Sequence, residues 1–285
     1  MNGKICMVTG ATSGIGEVTA CALAQMGATV IVVCRNPERG AATLNRIKAV
    51  IRNATVEYML ADLSSQREIR QLVDQFKRRY QRLNVLVNNA GALFMTRQVS
   101  ADGIEMTFAL NHLGYFLLTN LLLDTLKASA PARIINVSSY GHKGAQMNFE
   151  DLQFRQRYDG MRAYRQSKLA NVLFTYELAR QLDGTGVTVN AVNPGLVATR
   201  FGSNNFGFLL DGIINLLLRL YGLVGISAEQ GAQTSIHLAT APEVEGVTGK
   251  YFEKQIAVAS SNDSYNTVIA KRLWQYSAEL IGADF

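Results

Sequence analysis

Short apolar runs alternate with longer amphipathic ones along the whole chain. Continuous runs rich in valine and isoleucine stand at 5–9, 29–33, 56–60, 85–88, 133–137, 187–192 and 250–252. Strands buried on both faces read this way, because a parallel sheet covered by helices has no wet side. Between them, apolar residues recur at helical spacing over 15–26, 38–52, 65–81, 102–128, 161–183 and 228–240, and a last helix fits 263–281. The alternation predicts βαβ units. Right-handed crossovers then give a doubly wound, parallel α/β sheet of about seven strands with helices on both faces, in one domain over 1–285.

One stretch breaks the rhythm. From 205 to 223 the chain is strongly apolar, yet Asp211, Asn215 and Arg219 recur every four positions and share one narrow stripe of a helix. Those polar groups and three interior glycines argue against a membrane span. Apolar residues make up 48% of the chain, enough for a sizeable core. The net charge is +6 and scattered. Its tightest run, Lys77-Arg78-Arg79, reads as a solvated helix face and not as a nucleic-acid patch, while a mild positive field suits an anionic cofactor. Cys6, Cys21 and Cys34 fit no metal spacing and close no disulfide set. No metal is expected, and His112 and His142 are expected to be structural. A first strand near Lys4 leaves no room for a signal peptide or N-terminal anchor, so the expectation is a cytoplasmic protein.

The first run leads straight into Gly10-Ala11-Thr12-Ser13-Gly14-Ile15-Gly16, and a helix follows. Glycines permit a tight turn and close backbone approach, and a helix N-terminus presents unpaired N–H groups and partial positive charge to a pyrophosphate. The end of the second run reads Cys34-Arg35-Asn36, with no acid between Glu17 and Glu38. An NAD site usually places Asp or Glu there for the ribose 2′-hydroxyl. Arg35 offers instead a planar cation suited to a 2′-phosphate, with Arg39 and Ser13 in reach to assist. This favours NADP(H) over NAD(H); a surface arginine without a ligand is the alternative.

Tyr164 and Lys168 stand four apart in a predicted helix and so share one face. A tyrosine hydroxyl is too weak an acid to serve as base at neutral pH, and a nearby ammonium lowers its pKa, so the pair is a candidate acid/base. Alone, such a pair is common by chance. However, the 133–137 run ends in Ser138-Ser139, the 85–88 run in Asn89-Ala90-Gly91 and the 187–192 run in Asn193-Pro194-Gly195. Ligands of parallel sheets bind outside these carboxyl ends.

Together these residues resemble the short-chain dehydrogenase/reductase superfamily over essentially the whole chain. The motifs are Thr9-Gly10 to Gly16, Asp62-Leu63, Asn88 to Gly91, Asn111, Ser139, Tyr164 with Lys168, and Pro194-Gly195. The stretches Ala109 to Thr119, Ser167 to Phe174 and Arg272-Leu273-Trp274 are similar to the retinol dehydrogenase branch; Asn193 departs from it, since that branch often has His there. The resemblance implies a Rossmann-type fold and hydride transfer to or from a carbonyl carbon. By position, Tyr164 is the proton donor or acceptor, and Ser139 the hydrogen-bond partner of the substrate oxygen, with Ser138 the alternative. Lys168 is the ribose-binding cation, and Asn111 the holder of a relay water. Gly10, Ser13, Gly14, Ile15, Gly16, Arg35, Asp62, Leu63, Asn89, Ala90, Gly91, Pro194, Gly195, Val197 and Thr199 contact the dinucleotide. The apolar segment at about 200–225 is the substrate lid, which suits a lipophilic aldehyde, ketone or alcohol. Helix packing, subunit contact and peripheral membrane docking are other uses of the same face. A homo-oligomer is implied too, and a catalytically silent NADP-binding sensor on the same fold is the competing class of function.

Overall fold

A computed structural model describes residues 1–195 and 226–282. The lid at about 200–225, Val197 and Thr199 lie outside the described residues. Eight strands form one sheet: β1 Ile5–Thr9, β2 Thr29–Cys34, β3 Val56–Leu60, β4 Val85–Asn88, β5 Ala132–Val137, β6 Val187–Asn193, β7 Lys250–Glu253 and β8 Ile256–Val258. Their order is β3-β2-β1-β4-β5-β6-β7-β8. All neighbouring pairs from β3 to β7 are parallel, and β8 returns antiparallel to β7. The helices are α1 Gly14–Gln25, α2 Pro37–Val50, α3 Gln66–Arg79, α4 Met106–Lys127, α5 Gly160–Gln181, α6 Ala228–Thr240 and α7 Thr267–Ile281.

Side chains alternate across each strand, and this divides the core into two layers. Met7, Ile31, Val33, Leu86, Ile134 and Val189 pack against α3, α4, α5 and α7. Cys6, Val8, Val30, Val32, Val87, Ile135 and Val192 pack against α1, α2 and α6. The chain therefore winds in both directions from β1 and β4. This reversal opens a crevice above the carboxyl ends of those strands.

The structure differs from the expected pattern in three places, the simplest being that α7 starts at Thr267 and not at 263, after a 3₁₀ turn over Asn262–Tyr265. The sheet also has an eighth strand, reached through Lys254 and Gln255, both at positive φ. Finally, α4 begins at Met106 and not at 102. The Glu105 carboxylate caps it by accepting from the Thr107 and Phe108 N–H groups. A π turn, Ala109–Leu113, sits in α4 with Asn111 at its centre. By length and composition α4 would cross a membrane, but 78% of its apolar window is buried inside the protein.

Candidate active site

Gly10 follows β1 at φ +64°, and a Cβ there would lie 2.7 Å from the Ala90 Cα. A Cβ on Gly16 would lie 2.5 Å from Asn89 Nδ2 and 2.6 Å from the Gly10 oxygen. No larger residue fits at either place without moving backbone. The loop is braced by Thr9, whose Oγ1 accepts from the Asn89 and Ala90 N–H groups at 2.8 and 3.0 Å. Asn89 Nδ2 donates to the Thr9 and Gly10 carbonyls at 2.8 and 3.3 Å. The Asn89 amide, expected to line the cofactor, is thus committed to shaping the glycine turn. Side chains cap α2 to α7, whereas Ser13 makes no cap bond to α1. The first N–H groups of α1 are therefore left for an outside acceptor, which is what a pyrophosphate needs. The cradle fits a dinucleotide.

At the adenosine end, Arg35 follows β2 directly and is exposed. Among the described residues its guanidinium has no ion pair. Arg39 is exposed, its N–H bonded to the Asn36 cap at 2.7 Å. Asp62 Oδ1 is taken by the Ser64 N–H and hydroxyl at 2.9 and 2.7 Å, which leaves Oδ2 as the other acceptor of the carboxylate. Leu63 is buried, and its carbonyl meets α4 so closely that a Cβ on Gly114 would stand 2.5 Å from it. Sequence reasoning passed over Arg46. Its guanidinium bonds Glu17 at 2.6 Å, Thr43 at 2.9 Å and the Thr12 carbonyl at 3.4 Å, tying α2 to the loop.

The other half of the site lies where β5 and α5 converge. The two serines differ in their contacts. Ser138 is buried and donates to the Lys168 carbonyl at 2.8 Å. Ser139 Oγ accepts from the Gly141 N–H at 3.1 Å and is hydrogen-bonded to the Tyr164 hydroxyl. The Lys168 ammonium is buried, donates to the Val137 carbonyl at 3.1 Å and lies 5.7 Å from the Tyr164 ring centroid. Burial pulls its pKa down to about 8. The expected lowering of the tyrosine pKa is not what these contacts produce. Burial pushes the Tyr164 phenol up, and the Ser139 bond partly opposes this.

Gly91 joins the two halves: a Cβ there would lie 3.2 Å from Asn111 Oδ1 and 3.5 Å from Lys168 Nζ. The Asn111 carboxamide exchanges two bonds with Ala92, each of 2.9 Å, and donates to Ser167 Oγ at 3.0 Å. It clamps the Asn89–Ala92 turn to α5. Its main-chain oxygen accepts from Asn171 Nδ2 at 2.9 Å. His112 bonds Asn171 and Ser277, and burial holds its pKa at about 4, so it is a neutral structural group. Pro194 and Gly195 follow β6, and the Gly195 N–H donates to Asn193 Oδ1 at 3.1 Å. The same Oδ1 accepts from the Tyr140 N–H at 3.2 Å, which ties the β5 and β6 ends together. Thr9, Asn171 and Asn193 support the site without a chemical signature of their own. Sequence placed them in motifs and at strand ends, without showing which bonds they make.

Comparison with known proteins gives a consistent picture. Residues 4–207 match the model of the short chain dehydrogenase family. The chain is 43% identical to mouse retinol dehydrogenase 12 over 99% of its own length and 88% of that protein. It is 42% identical to human retinol dehydrogenase 13, covering 99% of this chain and 86% of the other. Among solved structures, an uncharacterized protein from Mycobacterium paratuberculosis superposes with a TM-score of 0.78 at 31% identity, over 100% of this chain and 95% of that one. An NADP complex of RhlG from Pseudomonas aeruginosa gives 0.70 at 27% identity, over 93% and 96%.

Proposed function

This chain belongs to the short chain dehydrogenase family, an oxidoreductase family acting on CH–OH and C=O groups, and on that premise we propose that it is an NADPH-preferring reductase of a lipophilic aldehyde or ketone, running also as the reverse oxidation. The observation that carries the reading is the convergence of Ser139, Tyr164 and Lys168 beside Gly91, at the end of the glycine cradle. Gly10 to Gly16, Arg35, Asp62 and Lys168 would hold a nicotinamide dinucleotide, which would supply or accept the hydride. Tyr164, a phenol protonated at neutral pH that burial makes a weaker acid still, is set up as the group that protonates the substrate oxygen. Ser139 lies within hydrogen-bond reach of that hydroxyl, so one substrate oxygen can contact both. Lys168 places a buried cation beneath them, and Asn111 keeps the cofactor-side turn in place.

The substrate class rests on the apolar segment at about 200–225 and on the relatives named retinol dehydrogenases. The test is NADPH oxidation against retinal, decanal, benzaldehyde and small polar carbonyls, repeated with NADH. Turnover of the apolar carbonyls is expected, and Tyr164→Phe is expected to lose about 10²–10⁴-fold in kcat. A chain acting only as an NADP-binding sensor would bind NADPH and reduce nothing in the panel. Equal turnover of small polar carbonyls would overturn the apolar substrate class.

A further inference from the structure

The turn that carries Ser139 is gripped from outside by Arg165, the neighbour of Tyr164. Arg165 Nε donates to the Gly141 carbonyl at 3.3 Å, and its Nη2 donates to the Lys143 carbonyl at 2.9 Å. Among the described residues no carboxylate pairs with it. Adjacent helix positions point about 100° apart, so α5 directs Tyr164 into the site while Arg165 reaches around the turn. Gly141 lies between them. A Cβ there would stand 3.5 Å from Arg165 Cγ, 3.5 Å from Tyr164 Cε1 and 3.6 Å from Ser139 Oγ. The turn is fastened elsewhere too. His142 Nδ1–H donates to the Ser139 carbonyl at 2.8 Å while its Nε2 accepts from the Ser261 N–H at 3.1 Å.

A serine hydroxyl has one proton and two acceptor sites. With the Gly141 N–H on one acceptor site, the direction of the proton depends on how the Gly141 backbone is held. The carbonyl of the same residue is what Arg165 holds. We infer that Arg165 is a positioning residue that fixes the Ser139 hydroxyl against Tyr164 by anchoring the Gly141–Lys143 carbonyls. The inference rests on the reading of Ser139 and Tyr164 as the reacting pair.

Arg165→Met keeps an aliphatic stem beside Gly141 and removes both donors, and Arg165→Lys restores one donor. With NADPH and decanal, Arg165→Met is expected to lower kcat by about 10²-fold, the scale of a 1 Å misplacement. KM for decanal and Kd for NADPH measured by fluorescence are expected to stay within about 3-fold, and Arg165→Lys to recover much of the loss. In a Ser139→Ala background, Arg165→Met is expected to cost less than about 3-fold more, because its effect runs through that hydroxyl. An active wild type whose Arg165→Met and Arg165→Lys variants both keep full kcat overturns the inference. So does a full, additive loss on top of Ser139→Ala, or a weakened NADPH Kd parallel to kcat. A wild type that binds NADPH but reduces no carbonyl removes the reading itself, and the inference falls with it.

Discussion

Arg35 stands one residue beyond the edge of β2, in the open, with its charge unshared among the described residues. A 2′-phosphate brought there gains charge-assisted hydrogen bonds, each worth roughly 1.5–3 kcal/mol. Arg35→Ala is therefore expected to reduce the NADPH-over-NADH ratio of kcat/KM by about 10- to 100-fold, mostly through KM. An unchanged ratio would mean that Arg35 does not select the cofactor. Its place at a strand end was legible in sequence because the apolar run of β2 stops at Cys34. For the serine pair the preference for Ser139 came from the family resemblance and not from the local pattern. Neighbouring residues point different ways, and which of them meets Tyr164 depends on contacts with α5: Ser138 is drawn to the Lys168 carbonyl, which leaves Ser139 for the site. Asn89 shows something the motif did not: its amide shapes the glycine turn from behind.

At the scale of elements, strands and helices differed in how visible their ends were. The central strands announced themselves as unbroken apolar runs because helices cover both of their faces. β8 has three exposed residues and follows Lys254-Gln255, a turn without the usual glycine or asparagine signal, so nothing in its pattern marked it. The start of α4 was hidden for another reason. Its cap is a glutamate, which is not among the residues favoured for capping. Glu105 is 1% exposed; its two oxygens accept from the Thr107 and Phe108 N–H groups at 2.8 and 2.7 Å, and the Tyr158 hydroxyl donates to it at 3.2 Å. Glu105→Ala strips the cap from the helix that carries Asn111. It is expected to cost roughly 2 kcal/mol, or about 4–8 °C in Tm. A melting temperature within about 1 °C of wild type would show that this helix end is held by packing alone.

For the whole molecule, the site is a stability liability that the rest of the fold carries. Lys168 is buried at 3% exposure, and burial lowers its pKa from 10.5 to about 8. Between these values the unfolded chain holds a proton that the native protein has released. Stability contributed by this group therefore rises with pH across that window, and below it the buried ammonium is a standing cost. Lys168→Met removes the charge. The Val137 carbonyl that loses the ammonium keeps the Asn171 amide at 3.4 Å as a donor. The variant is expected to lose activity and yet be more stable by roughly 2–3 kcal/mol at pH 7, a trade of stability against function. The comparison must be made as a difference between the two proteins. The Cys6 thiol, pushed up to about 12, and the phenols of Tyr115, Tyr164 and Tyr251, also raised by burial of the group, keep protons that the unfolded chain gives up, which destabilises both proteins alike at alkaline pH. Urea unfolding at pH 7 and about pH 9.5 should thus show the advantage of Lys168→Met shrinking by about 2 kcal/mol as the wild-type lysine becomes neutral. A constant difference across that range would mean that Lys168 is not held as a strained cation, and that its place beneath Tyr164 costs the fold nothing.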